Sequence, residues 1–387
     1  MSNNVSLSSA VRANLNALQS TAQMMSSVQE KLSTGKKVNS ALDNPNSFFT
    51  AKGLENRASD LSSLLDDMGQ SVQTLKAADK GITSISGLVD AAKAKVNQAA
   101  QTTNQVERTK YVKEYNELLT QIQDIAKDSG YKGKNLLGGQ GNDLKVTFNE
   151  NGKSSLSISS VDYTNVSSST GLNLSRLATG TSGTSTITLT NGTATAALTA
   201  GSLLSADDEF NVGDVITLTD TNGSELGKLE IKAGTTVGDL QKFLGDVDGV
   251  STDLTGGTLT VTSDFKLNLS SSSEAAGSFA DRSTNNSAES GFALDSGIDD
   301  VLNSLKKAQD TLRSQASTFG TNLSIVQNRQ DFTKSMVNTL QEGAGRLTLA
   351  DTNQEGANLL ALQTQQSLAS TALSLAAQAD QNVLRLF

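Results

Sequence analysis

The sequence predicts a mainly α fold: a long antiparallel helical coiled-coil bundle formed by both termini with a β-hairpin, plus an inserted β-rich (α+β) outer domain. Three observations lead there. Residues 1–130 and 295–387 are rich in Ala, Leu, Gln and Ser and keep an apolar repeat of about 3.5 residues. Residues 140–290 turn to Ser, Thr, Gly, Asn and Asp, with short β-like alternation. The chain of 387 residues holds a single proline, Pro45, where an average usage of about 5% would give roughly 19, so long helices can run without a break.

The first helix carries Val11, Leu15, Leu18, Ala22, Met25 and Leu32, with Gln29 as a polar interruption. Asn44-Pro45-Asn46 is expected to end it, because proline disfavours helix in the residue before it. A second apolar series runs from Leu61 through Met68, Leu75, Ile85 and Val96 to Ala99, and a third holds Tyr111, Tyr115, Leu118, Ile122 and Ile125. Glycine-rich stretches at 130–134 and 138–141 end the third. Leu144–Phe148 and Ser155–Ile158, joined through Asn149-Glu150-Asn151-Gly152, read as a hairpin with an Asn-Gly turn.

Thr184–Thr190, Asp214–Thr219, Leu226–Ala233, Thr258–Ser263 and Lys266–Ser270 read as strands, and Val237–Val247 as a short amphipathic helix. Ser/Thr-rich 167–205 and 270–290 read as linkers or exposed loops. The helical repeat returns from Ile298 to Leu340, with Gln309, Gln330 and Thr333 as polar layers. Gly343-Ala344-Gly345 is the expected loosening point before a last helix with Leu359, Leu362, Ala369, Leu373, Ala376, Val383 and Leu386.

Such Ala-rich helices with a narrow seam need partners. Periodicity alone leaves two arrangements open. One is an ordinary intramolecular bundle; in the other, residues 1–40 and 350–387 find partners on further copies of the chain.

Composition removes whole classes of chemistry. Without Cys or His there is no thiolate nucleophile, no Ser–His–Asp triad and no His-ligated zinc. Net charge is −9, which argues against nucleic acid or an anionic membrane as partner. The acidity is local: residues 206–300 hold about 18 acids and 5 bases, while the rest is slightly basic. No apolar run approaches the ~18 residues of a membrane span. Met1-Ser2-Asn3-Asn4-Val5-Ser6 lacks the basic and apolar regions of a secretory leader.

The remaining motifs are weak. Asp207-Asp208-Glu209 lacks the alternating ligands of a calcium loop and reads as a charged turn. Ser33-Thr34-Gly35-Lys36 lacks the strand and first glycine of a phosphate-binding loop. No cofactor, metal or catalytic residue is expected. A carboxylate-dependent glycosidase would need two facing acids in the middle block.

Lys31-Leu32-Ser33-Thr34-Gly35-Lys36-Lys37-Val38-Asn39-Ser40-Ala41 with Asp43-Asn44, and Asn14-Leu15-Asn16-Ala17-Leu18 ahead of it, resemble the N-terminal signature of bacterial flagellins. Asn358-Leu359-Leu360-Ala361-Leu362 through Asn382-Val383-Leu384-Arg385-Leu386-Phe387 resembles the flagellin C-terminus. The likeness covers about 1–140 and 295–387. Residues 210–263 further resemble a strand–helix–strand module of flagellin outer domains.

The resemblance implies a non-enzymatic subunit of the extracellular flagellar filament, exported unfolded and folded at the tip. It assigns 1–45 and 350–387 to an inner tube, 46–160 and 292–349 to an outer tube with the hairpin, and 161–291 to a variable, acidic outer domain. The expected partners are other copies in a homo-polymer, the export apparatus, an export chaperone, and cap and hook-associated proteins. Inter-subunit packing is expected at Val11, Leu15, Leu18, Met25 and Leu32 against Leu359, Leu362, Leu373, Val383 and Leu386. A hook–filament junction protein shares the terminal pattern and is the alternative; a coiled-coil signalling protein would need membrane spans.

One departure stands out. Flagellins recognised by the animal Toll-like flagellin receptor carry Gln-Arg-x-Arg-Glu-Leu in the second helix. Here the stretch is Asp90-Ala91-Ala92-Lys93-Ala94-Lys95-Val96, with Ala91 replacing the first Arg and Ala94 the Glu. Ala cannot supply the paired contacts of a guanidinium, so weak or absent activation is expected.

Overall fold

A computed structural model describes residues 9–192, 196–273 and 279–384. Its helices are α1 (Ser9–Thr34), α2 (Pro45–Gln101), α3 (Gln105–Asp128), α4 (Val237–Gly245), α5 (Asp295–Thr348) and α6 (Thr352–Leu384). The strands are β1 (Leu144–Thr147), β2 (Ser155–Ile158), β3 (Gly183–Thr188), β4 (Val215–Thr219), β5 (Glu225–Glu230), β6 (Val250–Thr255), β7 (Thr258–Ser263), β8 (Asn268–Ser271) and β9 (Arg282–Ser283). Helical termini with an inserted β-rich region are therefore the observed fold class. Among the described residues, no helix is long and apolar enough to cross a membrane.

Two helix boundaries differ from expectation. Helix α1 stops at Thr34, where Gly35 takes the left-handed φ of 68° that ends many helices. Pro45 instead opens α2: Asn44 caps it, its Oδ1 accepting from the Ser47 backbone N–H at 3.0 Å. Proline suits this first helical position because its missing N–H would be unpaired there anyway. The glycines at 343 and 345 do not loosen α5, which continues to Thr348. A Cβ at Gly343 would meet Leu54 Cδ1 at 3.4 Å, an ordinary van der Waals contact.

The chain divides into two compact units. The first gathers the chain up to Gly69, Thr147–Ser155 and the chain from Gln327 onward. In it, Ala58 and Leu61 of α2 pack against Val337 and Leu340 of α5, with Leu54, Leu65 and Met336 around them. The hairpin tip joins the same unit: Glu150 pairs with Arg57 at 2.9 Å, and the Arg329 guanidinium lies over the Phe148 ring.

The second unit comprises Gln70–Val146 and Leu156–Val326. Val72, Leu75, Ile82, Ile85, Val89, Ala92 and Val96 form the buried stripe of α2 there. Val112, Tyr115, Leu119 and Ile122 form that of α3, and Ile298, Leu305, Leu312 and Phe319 that of α5. Lys95 of α2 pairs with Glu114 of α3 at 2.9 Å. Gln309, predicted as a polar layer, is buried and donates its side-chain amide to the Asp90 carboxylate.

The β-rich insert holds two antiparallel sheets, ordered β3-β7-β6 and β5-β4-β8-β9. Their shared core includes Ile187, Phe210, Ile216, Leu218, Leu240, Leu244, Val261, Leu269 and Phe279. Helix α4 begins in a reciprocal cap, with Thr236 and Asp239 bonding each other's backbone N–H.

Strand β6 is absent from the sequence reading. Its signal was the Gly256-Gly257 pair, whose φ values of 59° and 81° turn β6 into β7. The stretches 167–205 and 270–290 are not simple linkers either: besides β3, expected as Thr184–Thr190, they contain β9 and the buried Leu172, Leu174, Leu189, Leu198, Leu204 and Phe279. Isolated apolar anchors hold a polar chain to the core there, a pattern without period 2 or 3.6.

Candidate assembly surface

Helices α1 and α6 form an antiparallel pair in the first unit. Lys31 faces Glu355 at 3.9 Å. The pair is closed at one end by the bridge between Lys36 and Leu349, and by the Lys37 and Val38 N–H groups on the Thr348 carbonyl at 2.8 and 3.3 Å.

On α1 the less exposed positions are Val11, Asn14, Leu18, Thr21, Met25, Val28 and Leu32, spaced alternately three and four. That is an unbroken heptad seam. The expected seam members Leu15, Ala22 and Gln29 lie one residue off it, and Leu15 is 38% exposed. Asn14, Thr21 and Val28 take their places. Thr21 satisfies its hydroxyl on the Ala17 carbonyl at 2.9 Å, which lets a polar residue sit in the seam. On α6 the seam runs Glu355, Leu359, Leu362, Gln366, Ala369, Leu373 and Ala376. The side chains of Val383 and Leu386 lie outside the described residues.

Sequence reasoning missed a second apolar face. Leu360, Leu368 and Leu375 are 67%, 67% and 63% exposed. Spacings of eight and seven put them on one side of α6, away from the seam. The signal was present as leucines outside the seven-residue repeat. Leu42 and Phe49, after α1, and Phe332 of α5 are exposed as well.

The charged turn at Asp207 is held by structural bonds. Asp207 is buried, its carboxylate accepting the Thr190 and Glu209 N–H groups at 2.7 and 2.9 Å. Among the described residues, no group of three or more acids could hold a metal ion. Ser33-Thr34-Gly35-Lys36 lies at the C-terminal end of α1, where carbonyls rather than N–H groups point outward. Ala91 and Ala94 are exposed on α2, and between them Ala92 is buried.

Comparison with known families matches residues 3–142 to the bacterial flagellin N-terminal helical region and residues 302–387 to the bacterial flagellin C-terminal helical region. The chain belongs to the bacterial flagellin family. Flagellin A of Rhizobium meliloti is 26% identical over 393 residues, covering 97% of each chain. Flagellin A of Helicobacter mustelae is 28% identical over 135 residues, 34% of this chain and 27% of that one. Among solved structures, flagellar hook associated protein-3 from Legionella pneumophila is 16% identical, covering 87% of this chain and 99% of that one with a TM-score of 0.24. As a flagellin, the protein is a structural component of the extracellular flagellar filament rather than a member of an enzyme family.

Proposed function

We propose that this flagellin polymerises through its terminal helices, which pack against other copies to build the helical filament used for swimming. One observation supports this above the rest: α6 keeps Leu360, Leu368 and Leu375 exposed although its opposite seam already faces α1. Covering a leucine contributes roughly 1.5–3 kcal/mol, so a repeated contact on that stripe stabilises assembly strongly. Residues 1–45 and 350–387 form the inner tube, 46–160 and 292–349 the outer tube, and acidic 161–291 projects outward. The heterologous contact does not close, and a filament results. Leu360, Leu368 and Leu375 carry the contact between copies in this reading, with Leu15, Val383 and Leu386 kept as further packing residues; Val11, Leu18, Met25, Leu32, Leu359, Leu362 and Leu373 lie in the α1–α6 seam of one chain.

The chain is exported unfolded with the help of an export chaperone and folds at the tip beneath a cap, and hook-associated proteins join the filament to its base. Absent cysteine and scarce proline suit that route, with no crosslink to form and few slow isomerisations. Exposed Ala91 and Ala94 leave the Toll-like flagellin receptor little to grip; full potency in a reporter-cell assay contradicts this. Deleting residues 350–387 tests the main reading. Filaments are lost and a soluble folded remainder is kept; normal filaments from the truncation refute it.

A further inference from the structure

Asn151-Gly152 sits at the tip of the β1–β2 hairpin, and both residues are exposed. The Asn151 side-chain oxygen accepts the Lys153 backbone N–H at 3.0 Å. A bond to the backbone two residues on folds the carboxamide over the peptide between them, which turns its carbon toward the Gly152 nitrogen. The same N–H polarises the carboxamide and stands where an oxyanion would form. The tip is open: a Cβ at Gly152 would meet nothing within 4 Å, and its φ of 70° is one that glycine takes freely. The Gly152 N–H donates to the Asn149 carbonyl at 3.1 Å, a bond that water replaces at so exposed a position. The neighbouring acid is neutralised, because Glu150 pairs with Arg57 at 2.9 Å.

The chain's other two Asn-Gly pairs are held differently. Asn222 Nδ2 donates to the Ala293 carbonyl at 2.6 Å, and its Oδ1 accepts the Asp295 N–H at 3.4 Å. That carboxamide is spent on the start of α5. At Asn191-Gly192 a carboxylate crowds the glycine: a Cβ there would lie 2.1 Å from both oxygens of Asp208. A negative charge so close opposes removal of the Gly192 amide proton.

We propose that Asn151 is a self-modifying site, converted through a cyclic imide with Gly152 to aspartate and isoaspartate. Hydroxide takes the Gly152 amide proton, and the nitrogen adds to the Asn151 side-chain carbonyl carbon. The tetrahedral intermediate breaks its bond to the side-chain nitrogen, which takes a proton from water and leaves as ammonia. Water then opens the imide at either carbonyl. One water is consumed and one ammonia released, with no change of oxidation state.

Isoaspartate adds a carbon to the main chain of the turn. Across that turn the Phe148 N–H donates to the Ser154 carbonyl at 2.8 Å, and the Ser154 N–H to Asn149 Oδ1 at 3.0 Å. Lengthening the turn breaks this register and loosens the tip from Arg57, and from Arg329 over the Phe148 ring. The hairpin's hold on the first unit thus weakens as the chain ages. The chemistry lies within one chain and holds whether or not copies polymerise.

Peptide mapping by mass spectrometry tests it. Full-length protein is aged in mildly alkaline buffer, folded in one arm and unfolded in guanidinium chloride in the other. Asn151 should react at least as fast folded as unfolded, with isoaspartate among the products. Folding should slow Asn191 and Asn222 by about tenfold or more. Asp208→Asn should speed the folded-state reaction at Asn191 and leave that at Asn151 unchanged. Amide exchange at Phe148 should quicken in the aged protein. An Asn151 slower in the folded protein than in the unfolded one, equal protection of all three sites, or aspartate without isoaspartate overturns the proposal.

Discussion

Arg108 of α3 donates its Nη2 to Asp295 Oδ1 at 2.7 Å, tying the first turn of α3 to the start of α5. The two partners are unequal: the Arg108 side chain is 3% exposed and that of Asp295 is 74% exposed. Arg108 also donates to the carbonyls of Thr102, Phe292 and Ala293 at 2.8, 3.3 and 3.1 Å. Arg108→Ala strips three carbonyls of a charged donor and should destabilise the fold by about 3 kcal/mol. Asp295→Asn removes a partner that water can replace and should cost far less. Denaturant unfolding of the two variants measures the difference; equal losses contradict the assignment.

Glycine in a helix normally gains stability on conversion to alanine, by about 1 kcal/mol. Gly81 should do the opposite. A Cβ there would lie 2.1 Å from Ser129 Oγ and 2.8 Å from Leu137 Cδ1, so Gly81→Ala should lose about 1–3 kcal/mol to overpacking. Gly87 has nothing within 4 Å, and Gly87→Ala should stabilise. Thermal melts of both give opposite signs if the close approach is correct.

Two of the four tyrosines are buried and lack free access to water. Burial pushes the Tyr163 phenol up to about 12 and that of Tyr115 higher still. A raised folded-state value means the stability is fully present below the ordinary tyrosine value of 10.0. Above it the unfolded chain ionises and the native one does not, so stability falls as pH rises through 10 and beyond. A phenolate absorbance titration should show these two ionising together with loss of helical circular dichroism. Complete ionisation of all four tyrosines with native helix content would contradict it.

The long helices were legible because an apolar residue recurs about every 3.5 positions over many turns, and no tertiary detail is needed to see it. The seam of α1 was misplaced by one residue in three layers: Leu15 stood for Asn14 and Ala22 for Thr21, the more apolar residue each time, and the same register put Gln29 in the place of Val28. Thr21 belongs in the seam only because its hydroxyl finds the Ala17 carbonyl, a bond that no spacing reveals. Strand β6 was missed because Val250–Thr255 has two apolar residues in six, and its pairing with β7 rests on the turn at Gly256-Gly257. The exposed leucines at 42, 360, 368 and 375 fall outside the helical apolar repeat, so periodicity does not single them out.

The central claim is that these helices build a filament from identical copies. Electron microscopy of purified full-length protein after seeding tests it most directly. The account predicts long helical filaments from the full chain and none from the chain lacking residues 350–387. Dispersed subunits from the full-length protein, or filaments from the truncated one, would contradict it.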